Sequence, residues 1–375
     1  MNKLNHLPSI AQRSSDYLQS LQHKENGGFS FATGQPSTLM GTAYAVLGLE
    51  ACGKISDLGR EDQHRTIRFL MSGMKADGSF KDPLFKKEDV LSHEHDTDYF
   101  TEETTTFCQQ ALDALHAPPP AERKKISELS KDDLLETFKK FSWKNPWLDA
   151  NRVMLTLSQI VHEADRHHKP ELLKLVDAAL DWLDTHQSRE TGLWKKSRGV
   201  SMDHVMAATT HFSYYYLYRH RPMKFSAKII DSCLKLQRFD GLFSGDSIGH
   251  SCFDYDAIDL MMKASLWTAH KREAVQKAVG RTVKPLTLLA NPDGGFCHAK
   301  YRKIKLFGFY IPELLKTRAS GQYHNCWKFL SCPVMASNGF STWLRLITFF
   351  HAQSESQRIF RSRRLPFLGY HSGKI

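Results

Sequence analysis

One short turn recurs along the chain at almost constant spacing, and it restricts the fold more than any local propensity does. A polar residue, often glutamine, is followed within a few residues by a glycine and then an aromatic. This happens at Gln22 to Gly28-Phe29, Asp77-Gly78-Ser79-Phe80, Gln187 to Gly192-Leu193-Trp194, Gln237 to Gly241-Leu242-Phe243, and Asn291 to Gly295-Phe296. Gly28 and Gly78 are 50 residues apart, Gly192 and Gly241 are 49 apart, and Gly241 and Gly295 are 54 apart. The 114 residues between Gly78 and Gly192 leave room for one more member, which the stretch from Trp143 to Trp147 fills in degenerate form. A glycine after the last helical turn accepts the left-handed conformation that caps a helix, and the aromatic then packs back on that helix.

Between the turns, two kinds of helix alternate. The first is amphipathic: Leu172, Leu175, Val176, Ala179 and Leu183 recur at helical spacing, with Glu171, Lys174, Asp177 and Asp184 on other faces. That pattern belongs to an outer helix with one wet side. The second is apolar nearly all round, as in Thr42 to Leu49, Val205 to Ala208 and Ile258 to Leu266, and must be enclosed. Inner helices are expected to start near residues 39, 102, 150, 203, 252 and 322. Their outer partners are expected near 8–24, 60–75, 125–141, 168–187, 224–237 and 271–290. An open solenoid would leave apolar faces at both ends; a closed ring does not. The expected fold is therefore all-α, an (α/α)6 toroid of six helical hairpins in a single domain over residues 1–331. Residues 332–375 are expected to add a C-terminal helix and a basic tail, packed on the toroid or extending from it. The run Pro118 to Pro120 reads as a connection between repeats.

At 41% hydrophobic and 24% charged residues, 375 residues suffice for one large globular domain. No stretch approaches the ~20 apolar residues that span a bilayer, and Met1 to Ser15 lacks the apolar run of a leader. A cytoplasmic location is expected. Seven cysteines, scattered and never in a CxxC pair, argue against a disulfide framework and a zinc ribbon. The net charge of +11 favours anionic company: a phosphorylated small molecule, an acidic glycan, or the surface of an anionic membrane touched peripherally. Nucleic acid is not expected, because no binding motif is visible and basic residues are not interleaved with aromatics along one face. The segment Lys303 to Leu315 mixes basic and aromatic residues without a clean period. It reads as a membrane-docking patch, a lid over the ring, or an ordinary long loop.

With these turns on alternating helices, the chain resembles the squalene/hopene cyclases and the β-subunits of protein prenyltransferases, whose repeats carry a Gln-to-Gly-x-Trp turn on a double ring of α-helices. Gln187 to Trp194 lies closest to that pattern, and most other turns have Phe in place of Trp. The resemblance implies that inner-helix N-termini gather at one mouth of a central cavity, so that polar residues at those starts converge. Class II terpene cyclases place Asp-x-Asp-Asp at the start corresponding to His250 to Asp259, and Asp254-Tyr255-Asp256 matches its first three positions while Ala257 breaks the fourth. By that resemblance Asp256 is the candidate general acid and Asp254 its coupled neighbour, kept protonated by burial and mutual repulsion. Prenyltransferase β-subunits instead hold a catalytic zinc there with Asp-x-Cys and a Tyr-His-x-Cys histidine. His250-Ser251-Cys252 and Tyr323-His324-Asn325-Cys326 resemble those elements, which makes His250, Cys252 and His324 a candidate three-ligand zinc set with one open position. A buried thiol and a helix N-cap are the plainer uses of the same residues.

The remaining candidates lie at the other helix starts. Before the second inner helix, His93 to Glu103 is dense in histidine and carboxylate, suited to a divalent metal or to a solvated helix start, and Glu103 is the member best placed to look inward. Asn151-Arg152 would bring a guanidinium to the same mouth, suited to a carboxylate or diphosphate, or to an ion pair with a neighbouring acid. His204 and His211 sit among Phe212, Tyr214, Tyr215, Tyr216 and Tyr218, whose faces could stabilise a carbocation or simply form core. Trp327 would line the sixth inner helix. The leading expectation is a terpene-cyclase-like or prenyltransferase-like enzyme acting on an isoprenoid or other anionic lipid. A lyase, hydrolase or epimerase of acidic glycans is the alternative, and a non-catalytic toroid that binds through its mouth is a third.

Overall fold

Apolar residues on every side force the segment Leu39–Ala51 inward, and every residue of that helix except Glu50 is buried. Met202–Tyr218 is buried likewise except at Met202, His204 and Tyr218, and its Phe212, Tyr214, Tyr215 and Tyr216 are all fully buried. The computed structural model describes residues 7–30, 34–84, 97–194, 199–243, 251–287, 301–306 and 309–314. In chain order these form α1 (Leu7–Ser20), β1 (Phe29–Ser30), β2 (Ser37–Thr38), α2 (Leu39–Ala51), α3 (Arg60–Ser72) and α4 (Thr97–Ala114). Next come α5 (Lys124–Ser127), α6 (Lys131–Lys140), α7 (Pro146–Arg166), α8 (Leu173–His186) and α9 (Met202–Tyr218). They are followed by α10 (Ser226–Leu236), α11 (Ser251–Ala264), α12 (Arg272–Thr287), β3 (Tyr301–Leu306) and β4 (Phe309–Leu314).

The inner helices α2, α4, α7, α9 and α11 contact one another in that order. Outside them, α1 and α3 pack on α2, α8 lies against α7 and α9, α10 against α9 and α11, and α12 against α11. The result is the expected two-layered, all-α toroid of helical hairpins. Among the described residues five inner helices and six outer ones are present. The sixth inner helix expected from residue 322, the turn at Asn291 to Phe296 and the C-terminal segment 332–375 lie outside the described residues. One expectation changes. Of the segment Lys303 to Leu315, the described residues lie in two paired antiparallel strands, with Tyr301 opposite Leu314 and Leu306 opposite Phe309. The alternation Lys303-Ile304-Lys305-Leu306 is a period of two, and Pro312 is tolerated because a two-stranded sheet has only edge strands.

The corners between outer and inner helices work differently from simple helix caps. The left-handed residues are Gly27, Gly78, Gly192 and Gly241, with φ of 79°, 77°, 73° and 89°. Each stands two residues before its aromatic, so in the first corner the conformation belongs to Gly27 and not Gly28. The glycine also lies beyond the helix end: α8 stops at His186, and the chain then doubles back so that Gln187 pairs with Trp194. A Cβ on Gly192 would stand 2.7 Å from the Ile229 nitrogen, so glycine is required both by its φ and by the close approach of α10. Glutamine Nε2 of Gln237 donates to the Gly241 carbonyl at 3.0 Å and to the Ala278 carbonyl on α12 at 2.7 Å, tying the corner to the next outer helix. The aromatic packs back as expected: the Trp194 indole N–H donates to the Leu183 carbonyl of α8 at 2.9 Å, and its ring meets Phe212 and Tyr216 at 6.0 and 5.5 Å.

Candidate functional site

Each corner aromatic is anchored through its backbone to an inner helix. The N–H of Phe29 donates to Thr42 Oγ1 at 2.8 Å, that of Phe80 to Thr105 Oγ1 at 2.9 Å, and that of Trp194 to Thr209 Oγ1 at 3.1 Å. At the other two corners a carboxylate takes the threonine's place: the N–H of Trp143 donates to Asp149 at 2.7 Å and that of Phe243 to Asp254 at 2.8 Å. The five anchors face outward, toward the corners, and give the inner helices a common register. At about 100° per residue, positions two before, two after, five after and nine after an anchor lie roughly 140–200° away from it, on the side facing the centre of the ring. Counted this way, Glu103, Asn151, His211, Asp256, Gln110, Tyr214, Asp259 and Lys263 share the lumen side. Two contacts agree with the register: the rings of Tyr44 and Phe107, both two after their anchors, lie 4.8 Å apart, and Lys263 Nζ stands 2.9 Å from the Tyr214 ring centroid across the α9/α11 seam.

This geometry separates the two aspartates that the sequence pairs. Residues at i and i+2 of a helix do not face each other, and Asp254 points outward to Phe243 while Asp256 points to the lumen. Burial pushes the Asp254 carboxyl up to about 7, with Asp240 adding to the rise and the Phe243 N–H and Arg238 opposing it; Asp256 makes no contribution. Asp254 is thus a corner anchor and not the helix N-cap of the plainer reading, since it lies in the first turn of α11 and accepts from Phe243 outside that helix.

On α4, two neighbouring glutamates have opposite surroundings. Glu102 is gripped by Arg123 at 2.8 Å, Lys125 at 3.2 Å and Gln159 at 2.7 Å, and although burial pushes the other way these cations hold its carboxyl below the ordinary range. Glu103, one residue on, faces the lumen with no ion-pair partner among the described residues, and burial pushes its carboxyl up to about 8. Tyr99, one turn before Glu103, hydrogen-bonds Asn151, and the Arg152 guanidinium stands 5.9 Å from the Tyr99 ring centroid. Glu103, Asn151 and Arg152 therefore converge around Tyr99, as their positions at two helix starts suggest.

Across the lumen, α9 and α11 supply a second cluster. Lys263 is 1% exposed and its Nζ donates to Asp259 at 2.6 Å, while Asp256 lies within electrostatic reach of the same amine. Burial pushes Lys263 well below the usual lysine range, with Asp256 opposing. His211, 3% exposed, is pushed down to about 3 by burial and by Lys263, so its imidazole is neutral. His204 sits nearer the mouth, bonded to Ser201 at 2.7 Å and edge-on to Phe253 at 5.0 Å. The tyrosines divide: Tyr214 faces the lumen, the Tyr215 hydroxyl bonds Ser158 at 2.8 Å and the Met154 carbonyl on α7, and Tyr216 turns outward to Asp184 at 2.6 Å. Asp184 is accordingly buried beneath Tyr216 and Arg221, not on a wet face.

His250, His324 and Trp327 lie outside the described residues, and Cys252 is placed only as a position on α11, two before the anchor Asp254. Among the described residues no group of His, Cys, Asp and Glu is arranged to hold a metal ion. Sequence reasoning missed Gln110, Asp259 and Lys263. The i, i+4 pair Asp259 and Lys263 inside an otherwise apolar helix was the available signal, because a charge there must have a partner.

Compared with known proteins, residues 1–98 match the family model of the prenyltransferase alpha-alpha toroid domain. No curated protein sequence matches the chain. Among solved structures, the type II terpene cyclase MstE from Scytonema, in its apo form, is similar with a TM-score of 0.48 and 12% sequence identity, over 92% of this chain and 98% of that one. No described helix is long and apolar enough to cross a membrane.

Proposed function

We propose that this chain, a toroid of helical hairpins whose residues 1–98 match the prenyltransferase alpha-alpha toroid domain, is a terpene-cyclase-like enzyme, one that uses a general acid in its central lumen on an isoprenoid or related lipid. The observation that carries the proposal is Glu103, a carboxyl on the lumen side of α4 that makes no ion pair among the described residues and that burial pushes up to about 8. An acid poised near the working pH is effective toward oxygen, such as an epoxide or a departing hydroxyl, and too weak for an unassisted alkene. In the step envisaged, the Glu103 O–H bond breaks as its proton passes to the substrate oxygen, the carbon–oxygen bond opens with its electron pair going to that oxygen, and a carbocation is left. The faces of Tyr44 and Phe107 and the carboxylate of Asp256 would stabilise the cation, and loss of a proton from carbon back to the Glu103 carboxylate ends the reaction with an alkene and restores the acid.

Asp256, the acid suggested by the sequence, has Lys263 within electrostatic reach, the wrong neighbour for a carboxyl that must keep its proton. Product formation from a panel of isoprenoid epoxides and alcohols tests the assignment. Glu103→Gln should abolish turnover with folding intact, while Asp256→Asn should reduce it by roughly tenfold to a hundredfold by weakening cation stabilisation. Loss of turnover confined to Asp256→Asn would return the acid role to Asp256. Undiminished turnover in Glu103→Gln would reject Glu103.

A further inference from the structure

Two buried side chains on the lumen side have polar atoms with no hydrogen-bond partner among the described residues. Gln110, on α4, is 4% exposed, and neither its Nε2 nor its Oε1 has a hydrogen-bond partner among the described residues. His211, on α9, is 3% exposed, and its Nδ1 has none either. Leaving such groups dry and unpaired is expensive, so native proteins supply a protein group, a water or a ligand. Both lie on lumen positions of the common register, Gln110 five residues after the anchor Thr105 and His211 two after Thr209. Glu103 lies two before Thr105. At about 1.5 Å per residue, Gln110 is therefore about 10 Å deeper than Glu103 and His211 about 6 Å deeper. Neither group carries a charge: one is an amide, and the other a neutral imidazole whose protonation burial and Lys263 oppose. Neutral donors and acceptors in a dry site select a hydroxyl or carbonyl over an anion, because the nearby Lys263 amine is already paired with Asp259, and over a hydrocarbon, which would leave them unpaired.

We propose that Gln110 and His211 form a hydrogen-bonding subsite for a second, neutral oxygen function of the ligand, set about 6–10 Å deeper in the lumen than the oxygen that Glu103 protonates. The substrate class is then a polyoxygenated lipid and not a plain polyene. This rests on the lumen-enzyme reading above and adds a specificity that reading does not require.

The test measures binding to the full-length chain of three probes: an isoprenoid diol whose oxygens can lie about 6–10 Å or more apart, the corresponding mono-alcohol and the parent hydrocarbon. The wild type should prefer the diol to the mono-alcohol by about tenfold or more, and the preference should collapse in Gln110→Leu and His211→Leu. Equal wild-type affinity for diol and mono-alcohol, or a preference that survives both variants, overturns the subsite while leaving the lumen enzyme standing. Binding of none of the three overturns the lumen reading and the subsite with it. A second measurement needs no ligand. Because Gln110→Leu removes unpaired polar atoms from an apolar site, its melting temperature should equal or exceed the wild type's. A clear fall would mean that ordered water or protein already satisfies the amide, and would also overturn the proposal.

Discussion

The corners and the lumen are built on the same five inner helices and differ in how far their polar groups are paired: the corner groups make at least one hydrogen bond each, and the Gln110 amide makes none among the described residues. Around Trp194 the backbone N–H, the indole N–H, the Gln187 amide nitrogen and the Gly192 carbonyl are hydrogen-bonded, while the Gln187 amide oxygen has no partner among the described residues. Half a helical turn away, His211 Nδ1 has no partner among the described residues, and the Gln110 amide on the neighbouring side of the ring is in the same state. Groups satisfied within the protein hold it together. Groups left for something else to satisfy mark where a ligand belongs. The contrast sorts substitutions in advance: changes at corners should cost stability, and changes on the lumen side should cost recognition or catalysis.

The largest stability loss is expected at the corners. Trp194 is 0% exposed, so Trp194→Ala should lower unfolding free energy by about 3–5 kcal/mol in denaturant titration. A loss below about 1 kcal/mol would mean that the corners are not the frame of the ring. Lys263 tests the contrast from the other side, as the lumen group that is paired. Lys263→Met strands Asp259 in the interior and should destabilise by about 3 kcal/mol, whereas Lys263→Met with Asp259→Leu should recover most of that, because two apolar groups need no partner. If the double variant is as unstable as the single, the pair does more than neutralise itself.

The fold was legible because its signal is repeated: corners at Gly78, Gly192 and Gly241, each followed two residues later by an aromatic, mark the same bend, and fully apolar stretches such as Thr42 to Leu49 can only be inner helices. Predicted helix starts at 39, 203 and 252 fall within one residue of the observed ones, and those at 102 and 150 within five. The site was legible only in part. Counting from helix starts brought Glu103, Asn151 and Arg152 together, yet it treated Asp254 and Asp256 as one locus. What decides between them is the anchor to Phe243, a contact across 11 residues that no local pattern encodes. The match to the Asp-x-Asp pattern was real in sequence and misleading in direction, since the helix turns its two carboxyls to opposite layers.

The anchors themselves are the next test. Thr209→Val keeps the shape and removes the oxygen that accepts from the Trp194 N–H, and with that N–H buried the loss should be about 1–2 kcal/mol. Thr209→Ser, which retains the oxygen, should lose less than half as much. Equal losses would trace the effect to the missing methyl and not to the anchor.

pH alone divides an anchor from a catalyst. Asp254 and Glu103 both have carboxyls raised in the folded state, to about 7 and about 8, above ordinary values of 3.8 and 4.5. The native state therefore binds more protons than the unfolded chain between those limits. Its stability should fall as pH rises from about 4 toward 8 and level off beyond, because each group must ionise in a site that disfavours the charge. Asp254→Asn keeps an acceptor for the Phe243 N–H and Glu103→Gln keeps the shape, and each should make that slope shallower. Only Glu103→Gln should also remove turnover. An Asp254→Asn variant that folds, loses the pH slope and is inactive would show that the outward aspartate reaches the chemistry after all, and would erase the division between corner and lumen on the fifth inner helix.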